Sequence, residues 1–530
     1  MTRFRHRLVI PLAAASLLAG LLGMARADRP AGVTLRPATD STLGADLDAL
    51  LTDPRLAGAQ AGVLVQDAST GETRYQHQAD GLLLPASTLK LVTSAAATHA
   101  LGADHRFGTD VLRAGELRGG VLDGDLVLRG GGDFSLQPGD LDGLARQVAD
   151  AGVREVTGAL VADDTRYDAE RLGTGWAWDD LSDYYAPQIS ALTLAPTPDD
   201  DLGTALLTIT PAAGAGRPAT VQISPPDTPI HLNGHLETGS SGSETTISVR
   251  RRPGGNEVDL SGTVPAGSAP QQQLVTVDDP AGYAAAVFRA DLARHGVTVD
   301  RPTAERATAA GATVVASHSS AALGELLAPL LKESNNGIAE HLAKELGYHA
   351  RGLGSWQNGL QAVADYLHGL GIAPNAMRQR DGSGLTRYNA VTVRQMATLL
   401  RSAQSEPWFA AWYDALPVAG VPEPVGGTLA DRMTGTAAAG NVRAKTGSMT
   451  GVYALAGYVT DPGGHRLVFS AAFNDTLGAD PRPILDAIAV RLATGPAPRT
   501  PVAGPVARQP AARRHGPGFD PDRCGSAPHC

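Results

Sequence analysis

The sequence predicts an α/β (α+β) fold in which one antiparallel sheet, built from both ends of the chain, is covered by helices. Two pairs of strand-like segments lie at opposite ends of the 530 residues, 61–66 with 73–77 and 452–460 with 467–473. A turn-rich stretch joins each pair, which is typical of a β-hairpin. The long region between the pairs predicts a two-part insertion, α/β and mainly β, because its short strands alternate with turns and helical runs.

The N-terminus has the pattern of a signal peptide. Three arginines precede an apolar run at 8–24, and Ala25-Arg26-Ala27 offers a small-x-small cleavage site. We assign residues 1–27 to a signal peptide; an uncleaved anchor is the alternative, because the run is close to a minimal membrane span. No other apolar stretch is long enough to cross a bilayer. We therefore expect an exported protein of the extracellular or periplasmic cell envelope, with no membrane span in the mature chain.

Helical periodicity marks the segments that would cover the sheet. After Pro85, apolar residues recur at helical spacing through 87–101. On such a helix Ser87 and Lys90 are three positions apart and share a face. A second amphipathic pattern, at 483–493, predicts the final helix, next to the second hairpin.

Short strands rich in threonine and valine fill the middle of the chain. We predict them at 205–210, 220–224, 245–250 and 274–277, with helices at 141–151 and 281–294. From these patterns we divide the chain after its leader into a discontinuous catalytic domain (28–107 and 322–495), an inserted α/β domain (108–184 and 291–321), an inner mainly β insertion (185–290) and a disordered tail (496–530).

Composition excludes several classes of function. Cys524 and Cys530 are the only cysteines and lie in the tail, so the body of the chain has no thiol nucleophile and no cysteine-based metal site. The net charge of −10 is spread without long runs and gives no reason to expect nucleic-acid binding. The zinc-protease and nucleotide-binding motifs do not occur. We expect no metal and no cofactor.

Lysine is rare in this chain, and two of the lysines lie in short motifs that accompany serine. Only four of the 44 lysines and arginines are lysine. A buried lysine can lose its proton and arginine cannot, so such a chain should keep lysine where a titratable amine is needed. One lysine closes Ser87-Thr88-Leu89-Lys90, another opens Lys445-Thr446-Gly447, and Ser334-Asn335-Asn336 lies between them. The ordered set S-x-x-K, S-x-N and K-T-G is the signature of penicillin-binding proteins and class A β-lactamases.

These motifs contain the groups for an acyl transfer. We predict that Ser87 is the nucleophile and forms an acyl-enzyme, and that Lys90 accepts its proton. Ser334 would pass a proton to the leaving nitrogen, and Asn336 would hold the acyl amide of the substrate. Lys445 would add positive potential. The third motif would bind a substrate carboxylate through Thr446, Gly447 and Ser448, and the N–H groups of Ser87 and Ser448 would form the oxyanion hole.

Segment 381–389, which reads D-G-S-G-L-T-R-Y-N, resembles the D-G-S-G-L-S-R-x-N segment of the low-molecular-mass class C penicillin-binding proteins. Those proteins are D-alanyl-D-alanine carboxypeptidases with endopeptidase activity, and they share the double insertion. The resemblance covers residues 45–495; Thr386 stands where serine is commoner. It implies a serine β-lactamase/DD-peptidase-like fold, cleavage of D-Ala-D-Ala and of cross-links in peptidoglycan stem peptides, and covalent inhibition by β-lactam antibiotics.

The same resemblance implies a pocket for the free ammonium end of a diaminopimelate-type side chain. Its candidates in this chain are Trp176, Asp179 and Tyr184 from the insertion, with Arg387 and Met449 on the other side. A surface loop whose aromatic residues pack only on each other is the alternative.

Two other functions stay open. A β-lactamase would share Ser87, Lys90 and Lys445, but the E-x-x-L-N segment that carries the deacylating glutamate of class A enzymes does not occur. A non-catalytic wall-associated protein would keep the motifs by descent alone. Covalent labelling by a fluorescent penicillin would exclude the non-catalytic protein, because it requires a reactive Ser87, and a persistent adduct would exclude a β-lactamase.

Overall fold

The computed structural model describes residues 41–373 and 376–495, so the leader at 1–27 and the tail at 496–530, with both cysteines, lie outside the described residues. The α-helices of the described part are α1 (Ser41–Leu51), α2 (Lys90–Leu101), α3 (Pro138–Asp150), α4 (Pro280–Arg294), α5 (Leu323–Leu331), α6 (Asn336–Arg351), α7 (Trp356–Gly369), α8 (Val393–Ala403), α9 (Phe409–Asp414) and α10 (Arg482–Thr494).

The strands of the same part are β1 (Gln60–Asp67), β2 (Thr73–His77), β3 (Gly108–Arg118), β4 (Val121–Gly130), β5 (Glu155–Asp163), β6 (Thr204–Thr210), β7 (Thr220–Ser224), β8 (His231–Gly234), β9 (Glu237–Gly239), β10 (Thr246–Arg251), β11 (Glu257–Pro265), β12 (Gln271–Thr276), β13 (Thr298–Glu305), β14 (Thr313–Ser319), β15 (Arg443–Met449), β16 (Val452–Thr460) and β17 (Arg466–Asn474).

The first sheet joins the two ends of the chain, as predicted. Its five strands are antiparallel in the order β15-β16-β17-β1-β2. The N-terminal strand β1 pairs along its whole length with β17, from Gln60 opposite Asn474 to Asp67 opposite Leu467. Both predicted hairpins are confirmed. The K-T-G motif lies within the edge strand β15, directly before the second hairpin.

Helices cover both faces of this sheet. Side chains alternate along a strand, so Leu64 points to one face while Val63 and Val65 point to the other. Leu64 packs in a core with α2, α5, α6 and α8, whereas Val63 and Val65 pack with α1 and α10. The sheet is therefore the middle of three layers. The core that contains Leu64, which we call the first core, lies directly beneath the segments that carry the motifs.

The insertion has its own core and three further sheets. Five strands form a mixed sheet, β13-β5-β4-β3-β14, against which α3 and α4 pack. Two smaller sheets follow: β12-β6-β7, and β10-β11-β8 with β9 added to β11. The α/β and mainly β characters that we predicted are confirmed, and each predicted strand and helix is found within a few residues of its place. The domain limits themselves stay predictions.

Helix α6 connects the insertion to the first core. Its residues from Asn336 to Gly347 are buried, charged side chains included. Lys344 Nζ donates to Asp168 Oδ1 at 2.6 Å, and the ring of His341 lies 2.8 Å from the carbonyl oxygen of Ser190. Such contacts fix the helix that begins at Asn336, the last residue of the S-x-N motif.

Candidate active site

The first motif lies on a tight turn rather than inside a long helix. The 3-10 turn Ala86–Leu89 carries Ser87, and α2 begins only at Lys90; 3-10 turns are common at helix N-termini. Two glycines pack closely on this turn. A Cβ on Gly384 would lie 1.9 Å from the carbonyl oxygen of Ala86, and one on Gly447 would lie 3.1 Å from the nitrogen of Ser87. The glycines of two distant segments therefore let their backbones reach the turn.

Lys90 is buried and in contact with three oxygen atoms. Its Nζ lies 2.9 Å from Ser87 Oγ, 2.5 Å from Asn336 Oδ1 and 3.0 Å from the carbonyl oxygen of Ser383. Burial lowers the pKa of Lys90 from 10.5 to about 7, although the carboxyl groups of Glu340 and Asp381 oppose the shift.

These three contacts suit an unprotonated amine. A neutral amine has two N–H donors and one lone pair. The oxygens of Asn336 and Ser383 are amide carbonyls, which only accept, so they take the two N–H groups. The lone pair then faces the hydroxyl of Ser87, which can donate. The arrangement can therefore remove the proton of Ser87 as the oxygen attacks a carbonyl carbon.

In the second motif, Ser334-Asn335-Asn336, a strained backbone and a helix cap fix the side chains. Ser334 has a φ of 64°, a conformation that non-glycine residues adopt mainly where the surrounding structure demands it. Asn335 caps α6, because its side chain accepts from the N–H of Ile338 at 3.0 Å. Asn336, the first residue of the helix, donates Nδ2 to the carbonyl oxygen of Tyr185 at 2.8 Å. The insertion thus helps to orient Asn336 toward Lys90.

The third motif, Lys445-Thr446-Gly447, contacts the second motif through a hydrogen bond. Lys445 is buried, and its Nζ donates to Ser334 Oγ at 2.8 Å and to the carbonyl oxygen of Thr446 at 3.0 Å. Thr446 Oγ1 donates to Thr428 Oγ1 at 2.9 Å, while Ser448 is half-buried at the end of the strand. The structure therefore forms two serine–lysine pairs, Ser87 with Lys90 and Ser334 with Lys445, and places Asn336 in contact with Lys90.

Two acidic residues that the sequence analysis did not select hold the site together. Asp381 is buried and accepts from the N–H groups of Gly384 and Thr386, at 2.9 and 2.7 Å. Glu340 is buried on α6 and accepts from the N–H groups of Gly382 and Ser383, both at 2.8 Å. Burial raises the pKa of both carboxyl groups.

Together Asp381 and Glu340 fix the loop whose Ser383 carbonyl contacts Lys90. They are positioning residues, because neither touches Ser87. One signal was available in the sequence: Glu340 follows Asn336 by four positions, one helical turn, and so lies on the same face of α6.

The candidates for the side-chain pocket are only partly brought together. Trp176 Nε1 donates to Asp381 Oδ2 at 3.2 Å, and Arg387 Nη2 donates to the carbonyl oxygen of Thr450 at 2.6 Å, next to Met449. The ring of Tyr184 stacks edge-on against Tyr185, with centroids 5.8 Å apart.

Asp179, the third of the insertion candidates, is exposed. Burial raises the pKa of Asp180, the residue after Asp179, and the nearby guanidinium of Arg387 opposes this shift. The insertion and the catalytic loop therefore approach each other at the place where the pocket is expected.

The described part of the chain contains neither a metal-binding cluster of side chains nor a helix that could span a membrane. No group of histidine, cysteine, aspartate and glutamate side chains that could hold a metal ion occurs in residues 41–373 and 376–495. Every helix in that part is too short or too polar to cross a membrane.

A model of one protein family matches most of the chain. The D-Ala-D-Ala carboxypeptidase 3 (S13) family matches residues 43–495. A D-alanyl-D-alanine carboxypeptidase from Actinomadura sp. (strain R39) is 46% identical over 458 residues, which are 84% of this chain and 84% of that protein.

Solved structures agree with this match. Penicillin-binding protein 4 (dacB) from Haemophilus influenzae superposes with a TM-score of 0.73 and 26% identity, and the match covers 84% of this chain and 98% of that one. A second structure of the same protein, complexed with a novel β-lactam, has a TM-score of 0.67 and 25% identity over the same shares of the two chains. The predicted serine β-lactamase/DD-peptidase-like fold is confirmed.

Proposed function

Because the chain belongs to the D-Ala-D-Ala carboxypeptidase 3 (S13) family, we propose that it cleaves the terminal D-Ala-D-Ala bond of peptidoglycan stem peptides, with Ser87 as its nucleophile. One observation carries the proposal. The Nζ of Lys90 contacts two carbonyl oxygens and the Ser87 hydroxyl, and burial lowers its pKa to about 7. A base with a pKa near the working pH is the most effective proton acceptor.

The reaction has two stages. Ser87 Oγ attacks the carbonyl carbon of the D-Ala-D-Ala bond while its proton moves to Lys90 Nζ, and the N–H groups of Ser87 and Ser448 stabilise the negative oxygen. Ser334 gives its proton to the leaving nitrogen and is resupplied by Lys445 Nζ, 2.8 Å away. Free D-alanine leaves, Lys90 releases its proton to solvent and Lys445 regains one, so both amines return to their starting states. Water then attacks the ester on Ser87 while Lys90 accepts a proton from it. Lys90 gives that proton to Ser87 Oγ as the ester bond breaks, and the shortened peptide is released as its acid.

The third motif supplies the binding site for the C-terminal carboxylate. Lys445 provides positive charge, and the Ser448 hydroxyl donates a hydrogen bond. The Thr446 hydroxyl donates a second one once its proton turns from Thr428 Oγ1 to the carboxylate, and Thr428 can then donate to Thr446 Oγ1. Asn336 retains a second Nδ2 hydrogen with which to hold the acyl amide of the substrate. We extend the proposal to cross-linked peptides, to β-lactams as covalent inhibitors, and to action in the extracellular or periplasmic cell envelope after removal of residues 1–27. No cofactor enters the mechanism.

The lifetime of the penicillin adduct tests this function. The adduct on Ser87 should persist for minutes or longer while a peptide ending in D-Ala-D-Ala turns over, because the chain has no E-x-x-L-N glutamate to activate the deacylating water. Mass spectrometry of the intact protein and of the peptide products would follow both reactions. Rapid hydrolysis of benzylpenicillin without an adduct would support a β-lactamase, and absence of both reactions would support a non-catalytic protein.

Acylation should depend on pH through Lys90. Its pKa of about 7 means that Lys90 becomes protonated, and loses its lone pair, as the pH falls below that value. The acylation rate should therefore fall about tenfold for each pH unit below 7 and level off above it. Rapid-mixing measurements with a fluorescent penicillin would give this profile. A rate that does not change with pH would show that another group is the base.

The proposed side-chain pocket should distinguish free from blocked amines. We propose that Trp176, Asp179 and Tyr184, with Arg387 and Met449, bind the ammonium end of a diaminopimelate-type side chain. Asp179→Asn should lower kcat/KM for the free amine by about fivefold, a modest loss because an ion pair open to solvent is weak. The same peptide acetylated on that amine is the control. Equal losses on both peptides would mean that Asp179 does not contact the ammonium group.

A further inference from the structure

Two aromatic side chains remain largely exposed beside the candidate active site. Trp178 is 78% exposed and Tyr388 is 55% exposed, whereas Trp356, Trp408 and Trp412 are buried. Single exposed apolar residues are common, but two large exposed aromatic residues on loops that contact each other are a candidate interaction patch.

The loops that carry these two residues are fixed against each other. The ring of Tyr388 packs on the backbone of Gly175, where an added Cβ would lie 2.4 Å from Cε2 of that ring. One residue further along, Trp176 donates Nε1 to Asp381 at 3.2 Å. Trp178 therefore lies three positions from the residue that touches Tyr388, on a loop tied to the catalytic segment.

The surroundings of this patch are polar. Arg378 is exposed and donates Nε to the backbone carbonyl oxygen of Tyr388 at 2.6 Å, so a guanidinium is tied to the backbone of one of the two aromatic residues. The patch thus offers flat apolar faces, with a charged donor on the segment that carries Tyr388. A pyranose ring has a matching chemistry, since one face consists of C–H groups while its edge carries hydroxyl and acetamido oxygens.

We propose that Trp178 and Tyr388 form a platform for a sugar of the glycan strand that carries the stem peptide. The inference rests on the proposed function, because stem peptides are attached to the glycan at their amino end and the platform borders the site that would hold their other end. Sugar binding would keep the enzyme on polymeric peptidoglycan without any contact to the scissile bond.

Glycan strands freed of their peptides test the platform without any catalysis. Trp178→Ala and Tyr388→Ala should each weaken binding of these strands by about three- to tenfold, and Trp178→Phe should retain most of it because the ring remains. Val314→Ala, which shortens another exposed apolar side chain on β14, is the matched control and should bind as the unchanged protein does. Unchanged binding in both alanine variants would overturn the proposal.

Kinetics on two matched substrates provide the second readout. The losses of kcat/KM in Trp178→Ala and Tyr388→Ala should be larger for a stem peptide that carries its disaccharide than for the same peptide without sugar. Equal losses would mean that the residues support the peptide site and would reject the platform. Because peptide-free glycan has no scissile bond, glycan binding can be scored even if Ser87 proves unreactive, which separates a failure of the platform from a failure of the proposed function.

Discussion

Ser87→Ala should abolish covalent labelling by penicillin, and Lys90→Arg should lower the acylation rate by about 10² to 10⁴-fold. Alanine has no oxygen with which to form the acyl-enzyme. Arginine keeps the positive charge but stays protonated, so it cannot accept the Ser87 proton. The measurement is the rate of labelling by a fluorescent penicillin, with thermal unfolding of each variant recorded to exclude loss of the fold.

Lys332→Arg is the matched control for the Lys90 variant. Lys332 is also adjacent to one of the motifs, but its Nζ donates to the carbonyl oxygens of Leu416 and Val425, both at 2.8 Å. Arginine can make the same two hydrogen bonds, so labelling should continue at the normal rate. Normal labelling of Lys90→Arg as well would show that some other group accepts the proton.

Ser334→Ala and Lys445→Met should each lower kcat for a D-Ala-D-Ala peptide by about 10² to 10⁴-fold, because both break the path of the proton to the leaving nitrogen. Methionine keeps much of the length of lysine and introduces no charge of its own. Since Nζ of Lys445 lies 2.8 Å from Oγ of Ser334, the two residues should act as one unit. The double variant should therefore be little worse than the poorer single variant.

A double-mutant cycle on steady-state kinetics would measure this coupling. Losses that multiply in the double variant would show that Ser334 and Lys445 act independently, with Lys445 contributing only to carboxylate binding. Thr428→Val is a useful comparison. It removes the hydroxyl that contacts Thr446 Oγ1 and leaves the Ser334–Lys445 pair in place, so its effect should fall mainly on KM.

Much of the fold could be predicted from the chain because its signals are local. Alternating apolar residues and turn residues predicted both hairpins, and helical spacing predicted the final helix, which runs Arg482–Thr494. The conformation of the turn that carries Ser87 was harder to predict from the sequence. The predicted helix from Ser87 begins instead with the 3-10 turn Ala86–Leu89, on which Gly384 and Gly447 pack from segments far along the chain.

The sequence alone determined which residue types are available for the chemistry and in what order. Four lysines, two of them in serine motifs, and segment 381–389 were enough to select Ser87, Lys90 and Lys445. A motif is defined by residue types and by short spacings along the chain, so it can be identified without knowing what surrounds it in space.

Only the tertiary structure decided how the pKa of the Lys90 amine is lowered. Its partners Asn336 and Ser383 lie 246 and 293 positions away, and the loop that carries Ser383 is held by Glu340. A pKa depends on burial and on the charges and hydrogen bonds nearby in space. Periodicity along the chain describes which face of one element is apolar, but it does not specify which distant elements meet there.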